Sequence, residues 1–166
     1  GLHQTVASLG TAFSEQQARL LAKITDEVFF AYDSDAAGQK ATSRALEIAK
    51  SVGIKARILL LPDGKDPDEY VRNHGAEAMR TLVSRSVTPL SFHIERVIKQ
   101  ASLSTLAGKI EAVSNILPFL ADTDSVVEVA EQVRQLANRL AIDEGVIQSE
   151  LQAFLRKNGV RSSMAG

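Results

Sequence analysis

The amino-acid sequence predicts an α/β fold, a parallel sheet with flanking helices, followed by an all-α helical bundle. Three observations predict it. The apolar runs Val28-Phe29-Phe30-Ala31-Tyr32 and Ile58-Leu59-Leu60-Leu61 have the pattern of strands buried on both faces. Between them lies a helix with a continuous apolar stripe, and beyond Pro67 apolar residues recur only at spacings of three and four.

Taken in order, Thr5-Val6-Ala7-Ser8-Leu9 reads as a short strand ended by Gly10. Ser14 and Gln17 have capping-box spacing, and Ala18, Leu21 and Ala22 form one face, so a helix is expected from Ser14 to about Ile24. The strand at 28–32 stops at Asp33. Ala41, Ala45, Ile48, Ala49 and Val52 mark a helix over 37–52, and Gly53 follows in the usual place for a left-handed stop. A strand within 54–61 ends at Pro62-Asp63-Gly64, whose backbone preferences forbid continuation. The order β-α-β-α-β with right-handed crossovers makes the sheet parallel and puts the strand ends after Tyr32 and Leu61 along one edge.

Asp66 then caps a helix with Pro67 in its first position, running to about Asn73 before Gly75, and 76–84 forms another. Helices are expected from Thr88-Pro89 to about Ala101, from Ser104 to about Leu117, from Asp124 to Ile142 and from Asp143 to Lys157. Val126, Val129, Ala130, Val133, Leu136, Ala137 and Leu140 give these helices one buried face and make them a bundle. The domain reading is an α/β part over 1–87, a helical part over 88–158 and a disordered tail over 159–166.

Composition narrows the chemistry. The 166 residues carry 19 Lys and Arg against 20 Asp and Glu, so no polyelectrolyte partner is announced by net charge. The absence of cysteine excludes disulfides, thiolate nucleophiles and cysteine-ligated zinc, and histidines at 3, 74 and 93 are too scattered for a metal site. Any metal sits on oxygen. No apolar run approaches the roughly 20 residues of a membrane span, no signal-peptide pattern is present, and a cytoplasmic location is expected. A chain opening Gly1-Leu2-His3 without methionine is expected to be a piece of something longer.

Carboxylates at the end of a buried strand need a reason. Asp33 and Asp35 lie where ligands bind in open α/β sheets, and supply hard oxygen donors suited to Mg²⁺ or Mn²⁺. The bland reading, one Asp capping the next helix while its neighbour stays solvated, is the commoner fate of an isolated Asp-x-Asp. Asp63-Gly64-Lys65-Asp66-Pro67-Asp68-Glu69 follows the next strand and also reads as turn plus cap. Convergence is what capping leaves unexplained. Adjacent strands lie about 5 Å apart, so acids leaving both at one edge repel unless cations sit between them. Two ions roughly 3.5–4 Å apart would suit phosphoryl chemistry. His74 and His93 read as packing or surface residues. Lys40, Arg44, Lys50, Lys55 and Arg57 read mostly as a solvated face, while Lys65 stands where it could meet a phosphate.

Val6-Ala7-Ser8-Leu9-Gly10-Thr11, Phe30-Ala31-Tyr32-Asp33-Ser34-Asp35-Ala36-Ala37-Gly38 and Leu60-Leu61-Pro62-Asp63-Gly64-Lys65-Asp66-Pro67-Asp68-Glu69 resemble, in order and spacing, the Toprim region of bacterial DnaG-type replicative primases. The helices after it resemble the helical subdomain of the primase RNA polymerase core. The resemblance implies a nucleotidyltransferase that makes short RNA primers on single-stranded DNA from nucleoside triphosphates with divalent metal. It implies Asp33 and Asp35 as catalytic and metal-holding, and Asp66 and Asp68 as a second metal-holding pair. Ser34 departs from the family's Asp-Gly-Asp, and the Glu-Gly glutamate of the Toprim fold has no match here. Neither Glu15 nor Glu27 fits it. Template DNA, triphosphates and primer are then partners of the full-length protein, and a replicative helicase is expected to bind through a domain outside this chain. Two alternatives stay open: a metal-dependent phosphatase of the haloacid dehalogenase type with Asp33 as nucleophile, and a non-catalytic interaction module.

Overall fold

The computed structural model describes residues 4–7, 12–33, 35–62 and 66–159. The chain divides into two compact units, residues 1–89 and 90–166.

In the first unit, α1 (Glu15–Leu21) is followed by β1 (Glu27–Phe30), α2 (Ala36–Ser51), β2 (Lys55–Ile58) and α3 (Pro67–Ser84). The Ser14–Gln17 capping box forms as its spacing predicts, each residue closing on the other's backbone. β1 and β2 are parallel, with Glu27 opposite Lys55 and Phe30 opposite Ile58. Both strands are shorter than their apolar runs. The Leu59 N–H donates to the Phe30 carbonyl at 2.8 Å, and then the chain leaves the ladder, because Leu59 and Leu61 are buried against Tyr70 and Met79 of α3. Their hydrophobicity serves the packing of α3 rather than further pairing. The expected strand at 5–9 is not found over residues 5–7, which form no ladder, and Ser8 to Thr11 lie outside the described residues. Val6, one of the apolar side chains that suggested a strand, is 78% exposed.

α2 packs on β2 and buries Ala45 and Ala49 of the stripe read from the sequence, with Leu46, which that reading left out, buried beside them and Ala41, Ile48 and Val52 half-buried. Its end at Gly53 has φ 77°, a left-handed position that glycine adopts without a Cβ penalty. α3 has Asp66 as N-cap and Pro67 in its first turn. Gly75, at φ 80° and ψ 172°, breaks it where the sequence places a stop, so 67–84 is two helical pieces joined at a kink. Past α3, Ile58 and Val87 exchange two backbone hydrogen bonds of 2.9 Å in an antiparallel bridge. The Arg57 guanidinium donates to the Ser86 hydroxyl at 3.1 Å and carbonyl at 2.6 Å, so this cation is structural.

The second unit contains α4 (Pro89–Gln100), α5 (Leu106–Ala121), α6 (Val126–Leu140) and α7 (Glu144–Lys157). One apolar cluster joins all four, with Ile116, Leu120, Val133, Leu136, Leu140 and Ile147 almost wholly buried. Each such side chain contributes about 1.5–3 kcal/mol by leaving water. α5 runs past Pro118, where the sequence reading stops it. Proline lacks the N–H that would bond the Ser114 carbonyl, yet Ser114 is exposed to solvent and Leu117 and Leu120 are buried on either side. Core packing outweighs one lost helical bond. α6 starts one residue later than expected, capped by the Ser125 hydroxyl, and ends at Ala141 with φ 50°. Arg139 pairs with Glu95, and Gln132 donates to the Ser91 hydroxyl at 2.8 Å, tying α6 to α4. The expected tail lies, from Val160 on, outside the described residues.

Candidate functional site

The parallel register sends both strand ends toward one edge of the sheet, so Asp33 and the segment that leads to Asp66 leave the same rim. Behind that rim Phe30 is buried. It meets Phe13 edge-on at 5.2 Å between centroids and stacks with Tyr32 at 6.1 Å, and burial pushes the Tyr32 phenol up from its ordinary value. The aromatic column anchors the segment that ends in Asp33. Asp33 itself is exposed and makes no side-chain hydrogen bond or ion pair with a described residue.

Asp35 is the N-cap of α2. Its Oδ1 accepts the Gly38 N–H at 2.7 Å, with the cap backbone extended at φ −70° and ψ 175°. Asp66 has the same arrangement at α3, accepting the Glu69 N–H at 2.7 Å. Asp68, in the first turn of α3, pairs with Arg72 at 2.9 Å on the exposed surface. Asp35 and Asp66 thus carry out the capping, and the exposed Asp33 the solvation, that the bland reading assigns this set, while Asp68 adds a surface pair. Among the described residues, no group of three or more acids and histidines gathers as a metal cage. Asp63, Gly64 and Lys65 of the second acidic run, and Ser34 of the first, lie outside the described residues.

The donor set still fits a hard divalent ion in kind. Every candidate is an oxygen ligand, as Mg²⁺ and Mn²⁺ require. Each capping carboxylate uses one oxygen on a backbone N–H and, among the described residues, has no partner on the other. The helix termini beside Asp35 and Asp66 oppose a cation by the partial positive charge of their N–H groups, but each is already offset by the carboxylate that caps it. The exposed Asp68–Arg72 pair contributes about 0–1 kcal/mol and yields readily to a better cation.

His74 and His93, the histidines among the described residues, serve packing. The His93 ring lies parallel to that of Phe119 at 4.1 Å, and its Nδ1 is buried with no hydrogen-bond partner. Burial first, and the Arg96 charge second, hold it down to about 4, against a weaker upward pull from Asp122. His74 stacks on Tyr70 at 4.5 Å with Nδ1 3.1 Å from the Tyr70 carbonyl. Lys40, Arg44, Lys50 and Lys55 are exposed, as the solvated-face reading expects.

The residue whose role sequence reasoning missed is Gly38. A Cβ placed on it would lie 2.0 Å from the Asp33 carbonyl oxygen, so the first turn of α2 closes directly on the main chain of Asp33. A glycine three residues after a capping Asp, where a helix favours any other residue, was the available signal.

Residues 1–71 match the family model described as Toprim-like, and residues 90–145 match that of the DnaB-helicase binding domain of primase. The DNA primase of Clostridium acetobutylicum is 35% identical over 159 residues, 96% of this chain and 26% of that protein. The DNA primase of Pseudomonas aeruginosa is 36% identical over 124 residues, 72% of this chain and 19% of that protein. The chain thus spans about a quarter of the curated relatives it matches. A solved structure of the DnaG catalytic core superposes with a TM-score of 0.64 at 32% identity, over 89% of this chain and 48% of that one. The DnaG primase catalytic domain bound to single-stranded DNA superposes at 0.61, with 32% identity, over 83% of this chain and 45% of that one. Neither the phosphatase nor the non-catalytic alternative gains support.

Proposed function

On the premise that this chain is a segment of the bacterial DnaG-type DNA primase family, to which it belongs, we propose that its first unit is the metal-holding part of an RNA polymerase core that makes primers on single-stranded DNA from nucleoside triphosphates. The observation that carries the reading is the joint match of both units, in order, to one catalytic core. We assign Asp33, Asp35, Asp66 and Asp68 to one or two Mg²⁺ or Mn²⁺ ions, with Asp33 and Asp35 nearest the chemistry. A divalent ion bound there would lower the pKa of the attacking hydroxyl and neutralise charge on the triphosphate. What the chain itself does is hold the acids. The column Phe13–Phe30–Tyr32 fixes the strand end, the two cap hydrogen bonds fix Asp35 and Asp66, and the Asp68–Arg72 pair gives way.

The 166-residue chain binds Mn²⁺ weakly and makes no primers alone, because each half is close to neutral, with 11 basic and 11 acidic residues over 1–92 and 8 and 9 over 93–166. A polymerase needs a positive surface to hold phosphate backbones. Template, primer and triphosphates are partners of the full-length protein. For the replicative helicase, the match over 90–145 supports a contact on α4 to α6, within this chain rather than outside it. The experiment is primer synthesis by the intact parent carrying Asp33→Ala or Asp66→Ala. Loss of synthesis with folding retained supports the reading, and unaltered synthesis removes it.

A further inference from the structure

We propose that Gly38 is a positioning residue for Asp33: the missing side chain at the third position of α2 lets the helix seat against the main chain of Asp33 and sets the direction in which its carboxylate leaves the strand end. The inference rests on the metal-holding role proposed for Asp33.

The geometry is specific. An added Cβ would meet the Asp33 carbonyl oxygen at 2.0 Å, its carbonyl carbon at 2.7 Å and its Cα at 3.1 Å. All three are backbone atoms of one residue, so no side chain can swing aside to make room. Gly38 is buried, its N–H is held by Asp35 Oδ1 at 2.7 Å, and its carbonyl accepts the buried Thr42 hydroxyl at 2.9 Å. With the helix pinned at both sides of the glycine, any atom added there moves Asp33. Conformational freedom is not the reason for glycine, since Gly38 lies within α2 and is absent from the positive-φ positions. The reason is space.

Gly108 is an internal control. It occupies the third position of α5, its N–H bonds the Thr105 hydroxyl at 3.1 Å, and its Cβ would lie 2.0 Å from the Ser102 carbonyl oxygen. The steric relation is the same, but no acid stands at the contacted residue.

The test measures Mn²⁺ binding to the 166-residue chain by the loss of free-ion electron paramagnetic resonance signal, alongside thermal unfolding followed by circular dichroism. The variants are Gly38→Ala, Gly108→Ala and Asp33→Asn. The expected result is a Mn²⁺ affinity roughly tenfold weaker in Gly38→Ala, the size of effect seen when a supporting partner of a ligand is lost, and unchanged in Gly108→Ala although it too unfolds at lower temperature. Wild-type affinity in Gly38→Ala, with Asp33→Asn weakened, overturns this proposal and leaves the metal assignment standing. Wild-type affinity in Asp33→Asn overturns both. If Gly38→Ala is unfolded in buffer, it is refolded in trimethylamine N-oxide, which favours the compact state. Weak binding by the refolded chain supports the proposal. Full binding, or a chain that stays unfolded, assigns Gly38 to folding and overturns it.

Discussion

Asp33, Asp35 and Gly38 in the first unit, and Ser102, Thr105 and Gly108 in the second, make nearly the same closure. In both a short polar side chain caps a helix, the capped N–H belongs to a glycine, and that glycine closes on a carbonyl upstream. The first turn follows a parallel strand and carries two exposed carboxylates, whereas the second joins two helices and carries hydroxyls, Ser102, Ser104 and Thr105. The backbone solution is therefore generic. What turns one copy into a candidate metal rim is residue type and its place at the end of a sheet.

Substitutions that keep the turn and change only the charge break this comparison most sharply. Asparagine caps a helix as well as aspartate, so Asp35→Asn and Asp66→Asn hold stability within a few tenths of a kcal/mol. In the intact parent they should lower primer synthesis by more than the roughly 100-fold that loss of a supporting partner can cost. Synthesis within a few-fold of wild type would reduce both residues to caps. A second contrast lies in the cores. Ile116→Ala or Leu136→Ala should destabilise the helical unit by about 2–5 kcal/mol, measured by urea unfolding, and leave Mn²⁺ binding by the first unit unchanged.

His93 gives the helical unit a pH dependence of its own. With its folded-state value down to about 4 against 6.5 in the unfolded chain, the unfolded state binds more protons between these values. Its contribution is whole above pH 6.5 and is lost as pH falls toward 4. Half-burial limits it to about 1–2 kcal/mol. Thermal unfolding across that window should show the decline, and His93→Phe, which preserves the stack on Phe119, should flatten it. The smallest effect is at the second turn's cap, where Thr105→Ala should cost about 1 kcal/mol and no Mn²⁺ affinity.

Most of the fold was legible. Capping spacing and apolar period placed α2, α4 and α7 within a residue or two of where they lie and the start of α1 as closely, although α1 ends three residues early, since these signals act within a turn or two of the chain. The misses share a cause. Leu59 and Leu61 read as strand because an apolar run shows that residues are buried but not what buries them, and here it is α3. Pro118 reads as a stop because its local cost is visible and the packing of Leu117 and Leu120 is not. Around the candidate site, the helix caps at Asp35 and Asp66 were legible. The arrangement around Asp33 was not.

By itself, the sequence determined to within a residue or two where each helix begins, which faces are apolar, and that acids stand at the ends of two parallel strands. Those properties are local, carried by side chains a few positions apart. Only the tertiary structure decided how far each strand pairs, that α5 continues through a proline, and that Gly38 closes on Asp33. Each depends on atoms that folding alone brings together, where a contact of a few ångströms outweighs the preference of any one residue.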